Sequence, residues 1–240
     1  MRDYLLDLVE HTHDLGCIDL IKVTGTDKAT QISARAEDNS VVIEGEFKNP
    51  HPDFMGVFGM PNVNKLKTLL NLQEYREDAK LTISRKSDST AVGIDFENAL
   101  GDFRNHYRFM SESVVTVKLP VAKFKGVTWH IEFEPTVAAI QRLRMQAQAN
   151  AEEPHFQAKT ENGDLKFFFG DHSTHAGNFV FHAAVKGQLK RAWSWPVAQF
   201  MSILSLTGDK TIRISDDGAA MITVDSGTAV YNYILPAQTK

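Results

Sequence analysis

The sequence has one cysteine and no long apolar run. Cys17 is the only cysteine among 240 residues, which excludes an intrachain disulfide and a thiolate-rich zinc site and is typical of a reducing compartment. We expect Cys17 itself to be a small buried apolar residue. No segment approaches the ~20 apolar residues that a membrane-spanning helix needs. Because the first residues lead into an acidic amphipathic stretch, we read no signal peptide and expect a cytoplasmic protein without a membrane partner.

Signatures of nucleotide and hydrolase chemistry are also missing. The sequence contains no phosphate loop ending in Gly-Lys-Ser/Thr, no Gly-x-Gly-x-x-Gly fingerprint and no Gly-x-Ser-x-Gly elbow. The strongest metal candidate is His172 and His175 beside Asp171, but the glycines around them favour a solvated hairpin loop. His11 and His13 lie two apart on a predicted helix and face different ways. We therefore expect no catalytic residue, no metal and no cofactor.

Composition and charge set broad limits on the class of protein. Hydrophobic residues make up 42% and charged residues 23%, which excludes collagen-like, coiled-coil and wholly disordered chains. At roughly 100–200 residues per domain, the chain has room for one large domain or two small ones. The net charge of -4 argues against a protein whose whole surface binds nucleic acid. The charge is uneven, because residues 1–120 carry 14 Lys+Arg against 19 Asp+Glu and residues 121–240 carry 12 against 11.

Periodicity predicts four helices with groups of strands between and after them. Residues 1–15 read as an amphipathic helix that Gly16 would cap. The other helices are predicted at about 62–72, at 135–150 and after Pro196. The third helix should bury a stripe formed by Val137, Ile140, Leu143 and Ala147. Strands are predicted at 18–24, 30–36, 41–47, 80–85, 91–97, 105–109, 155–160, 165–170, 178–185, 211–215, 219–225 and 229–235.

Two short passages indicate that this order is an internal repeat. Residues 66–72 (LKTLLNL) match residues 200–206 (FMSILSL), and each passage closely follows a Met-Pro or Trp-Pro pair. We therefore predict an α+β protein with two domains of like topology. The predicted domains are residues 1–113 and 127–240, joined by a connector at 114–126. Within the connector, Pro120 predicts an extended, exposed course for residues 117–120.

Acidic residues are missing from three stretches that each contain a predicted helix. No Asp or Glu occurs at 54–73, 135–151 or 172–208, although 30 of the 240 residues are acidic. Lys and Arg gain from counterion release at phosphates, and Gln and Asn add sequence-independent hydrogen bonds. Because no aromatic residues interleave, duplex backbone is a better target than single strands. The candidate DNA contacts are Lys65, Lys67, Gln141, Arg142, Arg144, Lys190 and Arg191. The alternative is that Lys and Gln are simply good exposed helix formers.

The two-domain repeat resembles the DNA polymerase sliding clamps of the phage and eukaryotic–archaeal type. Residues 117–124 (VKLPVAKF), leading to residues 133–143 (FEPTVAAIQRL), look like the clamp connector and the first helix of the second domain. The ending at 231–236 (YNYILP) is similar to the end of proliferating cell nuclear antigen. The details look closest to the clamps of contractile-tailed bacteriophages. The resemblance implies a two-domain DNA clamp fold, with two helices per domain packed on antiparallel sheets and three copies closed into a six-domain ring.

The same resemblance implies a function and a set of partners. The ring would encircle duplex DNA without sequence preference and would slide on weak cationic contacts. It would be a non-catalytic processivity factor in the host cytoplasm, opened by an ATP-dependent clamp loader. Late transcription factors are a further partner that the phage clamps imply. A short C-terminal peptide of the DNA polymerase would dock beside the connector and the chain end, at Val114, Val115, Leu119, Pro120, Val121, Leu235 and Pro236.

Some alternatives stay open at this point. The exposed stripe of the first helix is acidic, so either that helix is rotated to turn its acids toward a neighbour or the rim, or the hole is less positive than the family pattern. A structural, oligomeric β-rich phage assembly protein would also show strands and few motifs, although it would not require acid-free helices. An enzyme built around residues 171–175 would need a metal and a pocket. The predicted acidic stripe consists of Asp3, Asp7, Glu10 and Asp14.

Overall fold

The computed structural model describes residues 1–120, 126–171, 173 and 175–238. The chain divides into two compact units. Unit 1 comprises Met1–Glu37, Val42–Ala122 and Asp225–Tyr231, and unit 2 comprises Asp38–Val41, Lys123–Val224 and Asn232–Lys240. In the part of the chain that the structure describes, no helix is both long and apolar enough to cross a membrane.

Unit 1 contains three α-helices and two antiparallel sheets. In one sheet β8, β4, β1, β2 and β3 lie side by side in that order, followed by the first residues of β16. In the other sheet the order is β5-β6-β7. The elements are α1 (Arg2–Glu10), β1 (Leu20–Gly25), β2 (Thr30–Arg35), β3 (Val42–Phe47), β4 (Gly56–Pro61), α2 (Val63–Asn71), β5 (Lys80–Arg85), β6 (Ala91–Glu97), β7 (Arg104–Arg108), β8 (Met110–Ser111), α3 (Glu112–Lys118) and the start of β16 (Ala229–Pro236).

Unit 2 contains two helices and two further groups of strands. One sheet has the order β12-β11-β10-β13, and in the other group the order is β16-β15-β14-β9. The elements are β9 (Ile131–Phe133), α4 (Val137–Ala149), β10 (His155–Glu161), β11 (Asp164–Phe169), β12 (Gly177–His182), β13 (Trp193–Pro196), α5 (Val197–Leu204), β14 (Asp209–Ser215), β15 (Ala219–Asp225) and the remainder of β16.

The two units repeat one topology. Each has a helix, four strands, a second helix and three more strands, and the first four strands lie in the orders β4-β1-β2-β3 and β13-β10-β11-β12. The register repeats as well, since Leu20 pairs with Pro61 and His155 pairs with Pro196. Residues 135 positions apart are therefore equivalent in these paired strands. The α+β fold predicted from the repeat is confirmed, and so is the packing of helices on antiparallel sheets that the resemblance implies.

Each unit has an apolar core under its helices. In unit 1, Leu5 and Leu8 of α1 and Leu66 of α2 are fully buried. In unit 2, the Phe156 ring lies 4.3 Å from the Phe167 ring and 5.0 Å from that of Phe200, between centroids. Burying a side chain of this size is worth ~1.5–3 kcal/mol, so these residues stabilise the packing of α1 and α2 in unit 1 and of α5 on β10 and β11 in unit 2.

The first helix is shorter than predicted. α1 ends at Glu10, and a separate 3-10 turn follows at His13–Leu15, which Gly16 closes at φ 81°. The Thr12 hydroxyl donates a hydrogen bond to the carbonyl of Leu8 at 2.6 Å. Side-chain bonds of this kind satisfy carbonyls at a helix end and compete with continuation of the helix.

The connector prediction is wrong for residues 117–118. These residues belong to α3, and Pro120 restricts only Leu119, which has φ -122° and ψ 73°. The helix packs on β4 because Gly59 has no side chain, since a Cβ there would lie 2.7 Å from Cγ2 of Val115. The buried Lys22 ammonium donates to the Leu119 carbonyl at 2.9 Å, and a cation at a helix C-terminus is favourable.

Sequence patterns also missed several strands and misplaced one buried face. β4, β8, β9 and β13 were not predicted, and β4 contains Gly56 and Gly59, which lower strand propensity. The prediction that Val137 is buried is wrong, because its side chain is 72% exposed while Ala139 and Leu143 are buried. Ala139 and Leu143 lie four residues apart and so share the buried face of α4. Val137 lies two residues before Ala139 and so points away from that face.

Candidate nucleic-acid and partner interfaces

Helices α1 and α2 pack against each other in unit 1 and place the two predicted lysines differently. Lys65 is exposed in the first turn of α2, where the Asn62 side chain accepts a hydrogen bond from its backbone N–H at 3.2 Å. Lys67 instead lies 2.8 Å from the Asp14 carboxylate, just beyond α1. An exposed pair of this kind is worth ~0–1 kcal/mol, but it balances the charge of Lys67 and leaves Lys65 as the stronger DNA-contact candidate on α2.

The acidic residues of α1 do not form one solvent-facing stripe. The Asp7 side chain is 11% exposed and accepts a hydrogen bond from the Tyr231 hydroxyl at 2.7 Å. The His11 ring stacks parallel to the Tyr231 ring, with 4.8 Å between centroids. Asp7 therefore faces β16, while Asp14 faces Lys67 of α2. Two of the four predicted acids are turned toward groups of their own unit.

The outer side of α4 runs along β12. Arg142 donates to the Val180 carbonyl at 3.2 Å, and its guanidinium lies 5.4 Å from the centroid of the Phe179 ring. Gln146 donates to the Asn178 carbonyl at 3.4 Å. A groove of about 340 Å³ lies between these elements, lined also by Met145, whose side chain is 66% exposed. One of the predicted DNA-contact residues, Arg142, thus occupies the edge of a strand in this structure, together with Gln146.

The remaining predicted cations fall in two places. Arg144 is exposed on α4 and donates to the Ser205 hydroxyl at 2.8 Å, and Gln141 on the same helix is exposed. Lys190 and Arg191 are exposed in the loop before β13, where their backbone N–H groups donate to the Asp216 carboxylate at 2.9 and 3.2 Å. Lys190 and Arg191 therefore lie in a loop that the Asp216 carboxylate holds in place, and β13 separates this loop from α5.

The repeat shows why α1 and α4 differ on this side. The helices keep the spacing of the strands, since α1 begins at Arg2 and α4 begins 135 residues later at Val137. Asp7 is therefore equivalent to Arg142, and His11 is equivalent to Gln146. In unit 1, Asp7 and His11 contact Tyr231 of β16. The Tyr231 ring lies beside β3, because a Cβ on Gly45 of β3 would lie only 2.8 Å from it. In unit 2, among the described strands, none lies on the outer edge of β12.

A backbone hydrogen bond and an ion pair hold the residues before β16 against Lys48, which directly follows β3, in unit 1. The backbone N–H of Lys48 donates to the Thr228 carbonyl at 3.0 Å. The Lys48 ammonium lies 2.7 Å from the Asp225 carboxylate and, with the N–H of Gly227, holds the pKa of Asp225 below its usual value. A lowered carboxyl pKa means that this stabilisation is present at neutral pH and is lost as pH falls through the folded-state pKa.

The predicted partner-peptide residues differ in accessibility. In unit 1, Val115 is fully buried and Leu119 is 7% exposed, whereas Val114 and Pro120 are exposed. Leu119 and Pro120 line a cavity of about 60 Å³ with β2 and β3. In unit 2, Leu235 is fully buried and Pro236 is exposed. Val121 lies outside the described residues.

The described residues contain no cluster that could hold a metal ion. No group of three or more His, Cys, Asp or Glu side chains comes together within them. Of the candidate set at 171–175, His172 lies outside the described residues, and the Asp171 carboxylate accepts a hydrogen bond from the N–H of Ser173 at 2.8 Å. Cys17 is half-buried, whereas the sequence predicts a buried residue.

Solved structures share this fold along nearly the whole chain. The crystal structure of PCNA from Thermococcus kodakaraensis matches with a TM-score of 0.65 and 12% identity, covering 99% of this chain and 95% of that one. A. fulgidus PCNA, solved with the C-terminal region of FEN-1 bound, matches with a TM-score of 0.69 and 10% identity, covering 98% and 96%. No protein-family model and no curated protein matches the sequence. The likeness establishes a PCNA-like clamp fold.

Proposed function

We propose that this protein is a sliding clamp of the kind used by contractile-tailed bacteriophages. Three copies close into a ring around duplex DNA, without catalysis, and tether a DNA polymerase in the host cytoplasm. An ATP-dependent loader opens the ring, and late transcription factors are a further partner class. The observation that carries the proposal is the full-length PCNA-like fold, in a chain whose α2 and α4 bear cations and amides but no acid.

The repeat supports a specific joint between copies. In unit 1 the outer edge of β3 is covered by β16, whereas the equivalent edge of β12 has no strand among the described residues. The strand equivalent to β16 is β7, the third strand of the other sheet in unit 1. Both hairpins carry a polar cross-strand contact. Asp95 of β6 and His106 of β7 lie opposite each other, with 2.6 Å between their side chains, and Thr223 of β15 and Asn232 of β16 form a hydrogen bond of 2.8 Å. We infer that β7 of one copy pairs with β12 of the next, which gives a head-to-tail ring.

This pairing gives Arg142 and Gln146 a second use. In the single chain, Arg142 and Gln146 donate hydrogen bonds to the carbonyls of Val180 and Asn178. A strand paired with the β12 edge would donate to the same two carbonyls. A neighbouring β7 would displace both side chains, and they would then be available for DNA phosphates beside Gln141 and Arg144. Lys65 of α2 would add a further cationic contact. Such contacts hold a duplex without reading its sequence, which permits sliding.

The partner peptide has a candidate groove in unit 1. Leu119 and Pro120 face Ser33 and Val42 across a cavity of about 60 Å³. The cavity is small, but Pro120 is exposed at its rim and Val42 is half-buried. Solved A. fulgidus PCNA holds a C-terminal region of FEN-1, which supports a peptide-binding role for this fold.

Substituting Val42→Lys should weaken polymerase-peptide binding roughly tenfold or more, since it places a charge in an apolar groove. Isothermal titration calorimetry with the C-terminal peptide of the cognate polymerase measures this. Gln31→Lys, on the exposed face of β2, adds the same charge outside the groove and should bind as the wild type does. Equal affinities for all three proteins would reject this groove as the site.

The ring itself is tested by mass and by topology. Light scattering across a dilution series should give a mass near three times 26.9 kDa at high concentration, falling toward monomer on dilution. After loading, the protein should stay on a nicked circular duplex and run off a linearised one. A persistent monomer contradicts the proposal, and equal retention on both DNAs favours the assembly-protein alternative.

A further inference from the structure

The turn between β6 and β7 is held rigid by a buried asparagine. The Asn98 amide donates to Glu74 at 3.0 Å and to Asp102 at 2.8 Å. Its side-chain oxygen accepts hydrogen bonds from the backbone N–H groups of Asp102 and Phe103, each at 3.1 Å. Because Asn98 is buried and bonded on both its donor and acceptor sides, the turn presents one fixed shape.

This fixed turn exposes two large apolar side chains. Leu100 is 83% exposed and Phe103 is 40% exposed. Phe103 packs against the buried Tyr75 ring, with 5.5 Å between ring centroids, and this contact holds the end of the turn against unit 1. A single exposed leucine is ordinary, but a leucine and a phenylalanine together on a rigid turn form a knob of apolar surface. We call residues 98–103 the β6–β7 knob.

The equivalent turn of the repeat has a different character. Between β15 and β16 only Ser226, Gly227 and Thr228 intervene, whereas six residues lie between β6 and β7. The short turn is polar, and its Ser226 hydroxyl bonds the Ala229 carbonyl at 3.1 Å. It lies at the end of β3, where Thr228 accepts from the N–H of Lys48. The repeat therefore shows where a β6–β7 turn would go on a neighbouring copy, namely at the end of β12.

The end of β12 carries an open pocket. It has a volume of about 460 Å³. Its lining combines apolar residues with charged and polar ones, namely Glu132, Phe133, Glu134, His182, Ala184, Val185, Lys186 and Thr211. The Phe133 and His182 rings form its wall, 4.6 Å apart between centroids. In unit 1 the corresponding place, after β3, is the one beside the β15–β16 turn.

We propose that the β6–β7 knob of one copy inserts Leu100 and Phe103 into this pocket of the next copy, and so locks the joint between β7 and β12. The inference rests on the proposed ring. Two observations choose this occupant: the repeat directs the turn to the end of β12, and the pocket is large enough for the two side chains.

Leu100→Ser tests the lock without disturbing the fold, because the side chain is exposed in the single chain. The dissociation constant of each joint, from sedimentation of a dilution series, should rise roughly tenfold for the loss of one buried leucine. Val117→Ser, an equally exposed valine on α3, is the matched control and should leave the constant unchanged.

A double-mutant cycle ties the knob to the pocket. Val185→Ser in the pocket should weaken the joint by itself, and its combination with Leu100→Ser should cost less than the two single losses added together. A Leu100→Ser protein that assembles as tightly as the wild type overturns the lock but leaves the ring standing. A wild-type protein that never trimerises overturns both.

Discussion

Val180→Pro is expected to convert the trimer into a monomer. Val180 pairs with Lys166 as Glu46 pairs with Gln31, so Val180 is equivalent to Glu46, at an offset of 134 instead of 135 because the register shifts between Leu165 and Lys166. Glu46 lies two residues before Lys48, whose N–H points outward to the Thr228 carbonyl, so the N–H of Val180 also points outward. Proline removes the outward N–H and places its ring on the edge, while the neighbouring bonds to β11 stay intact. Leaving one hydrogen bond of the joint unmade costs ~1–3 kcal/mol, which corresponds to a roughly ten- to hundredfold weaker joint. Light scattering at a concentration where the wild type is fully trimeric measures it.

Val180→Ala is the matched control, since it trims the side chain and keeps the N–H. It should stay trimeric, and both variants should keep the circular dichroism spectrum of the wild type. The proline variant should also be lost from nicked circular DNA, because a chain that cannot close cannot encircle a duplex. A trimeric Val180→Pro protein would mean that the joint lies elsewhere than on the β12 edge.

Alternation of apolar and polar residues at every second position was sufficient to predict most of the strands. β5 (Lys80–Arg85), β6 (Ala91–Glu97) and β15 (Ala219–Asp225) have the predicted bounds, because large apolar residues recur at every second position of each strand, between clear turns. β4 was missed because Gly56 and Gly59 break that pattern. Gly59 is required by a long-range contact, the approach of Val115, and no local pattern reports such a contact.

The candidate DNA-contact residues were less predictable than the helices that carry them. The absence of acids marked stretches that contain α2, α4 and α5, but the pairing of Lys67 with Asp14 joins residues far apart in the chain. The contact of Arg142 with Val180 likewise depends on how α4 lies on β12. The sequence does hold one signal, because the 135-residue spacing aligns Arg142 with Asp7. That spacing can be recognised only once the strand register is known.

Reversing two cations on the helices should abolish most of the DNA contact while leaving the ring intact. Lys65→Glu with Arg144→Glu changes exposed side chains that lie away from the β12 edge. Each lost phosphate contact lowers the slope of log affinity against log salt by ~0.9, and reversal adds repulsion. Three copies multiply the effect, so we expect roughly tenfold or more weaker duplex binding at low salt, by fluorescence anisotropy, and shorter products in primer extension.

The control carries the same charge change outside the helices. Lys80→Glu with Lys86→Glu alters β5 and the turn after it, where both lysines are exposed. If the net charge of the ring alone set DNA affinity, this pair would lose as much binding as the helix pair. If α2 and α4 face the duplex, the helix pair loses affinity and the salt slope falls, while the control keeps both. Equal losses would therefore reject the assignment of these helices to the DNA side, even with trimer mass unchanged.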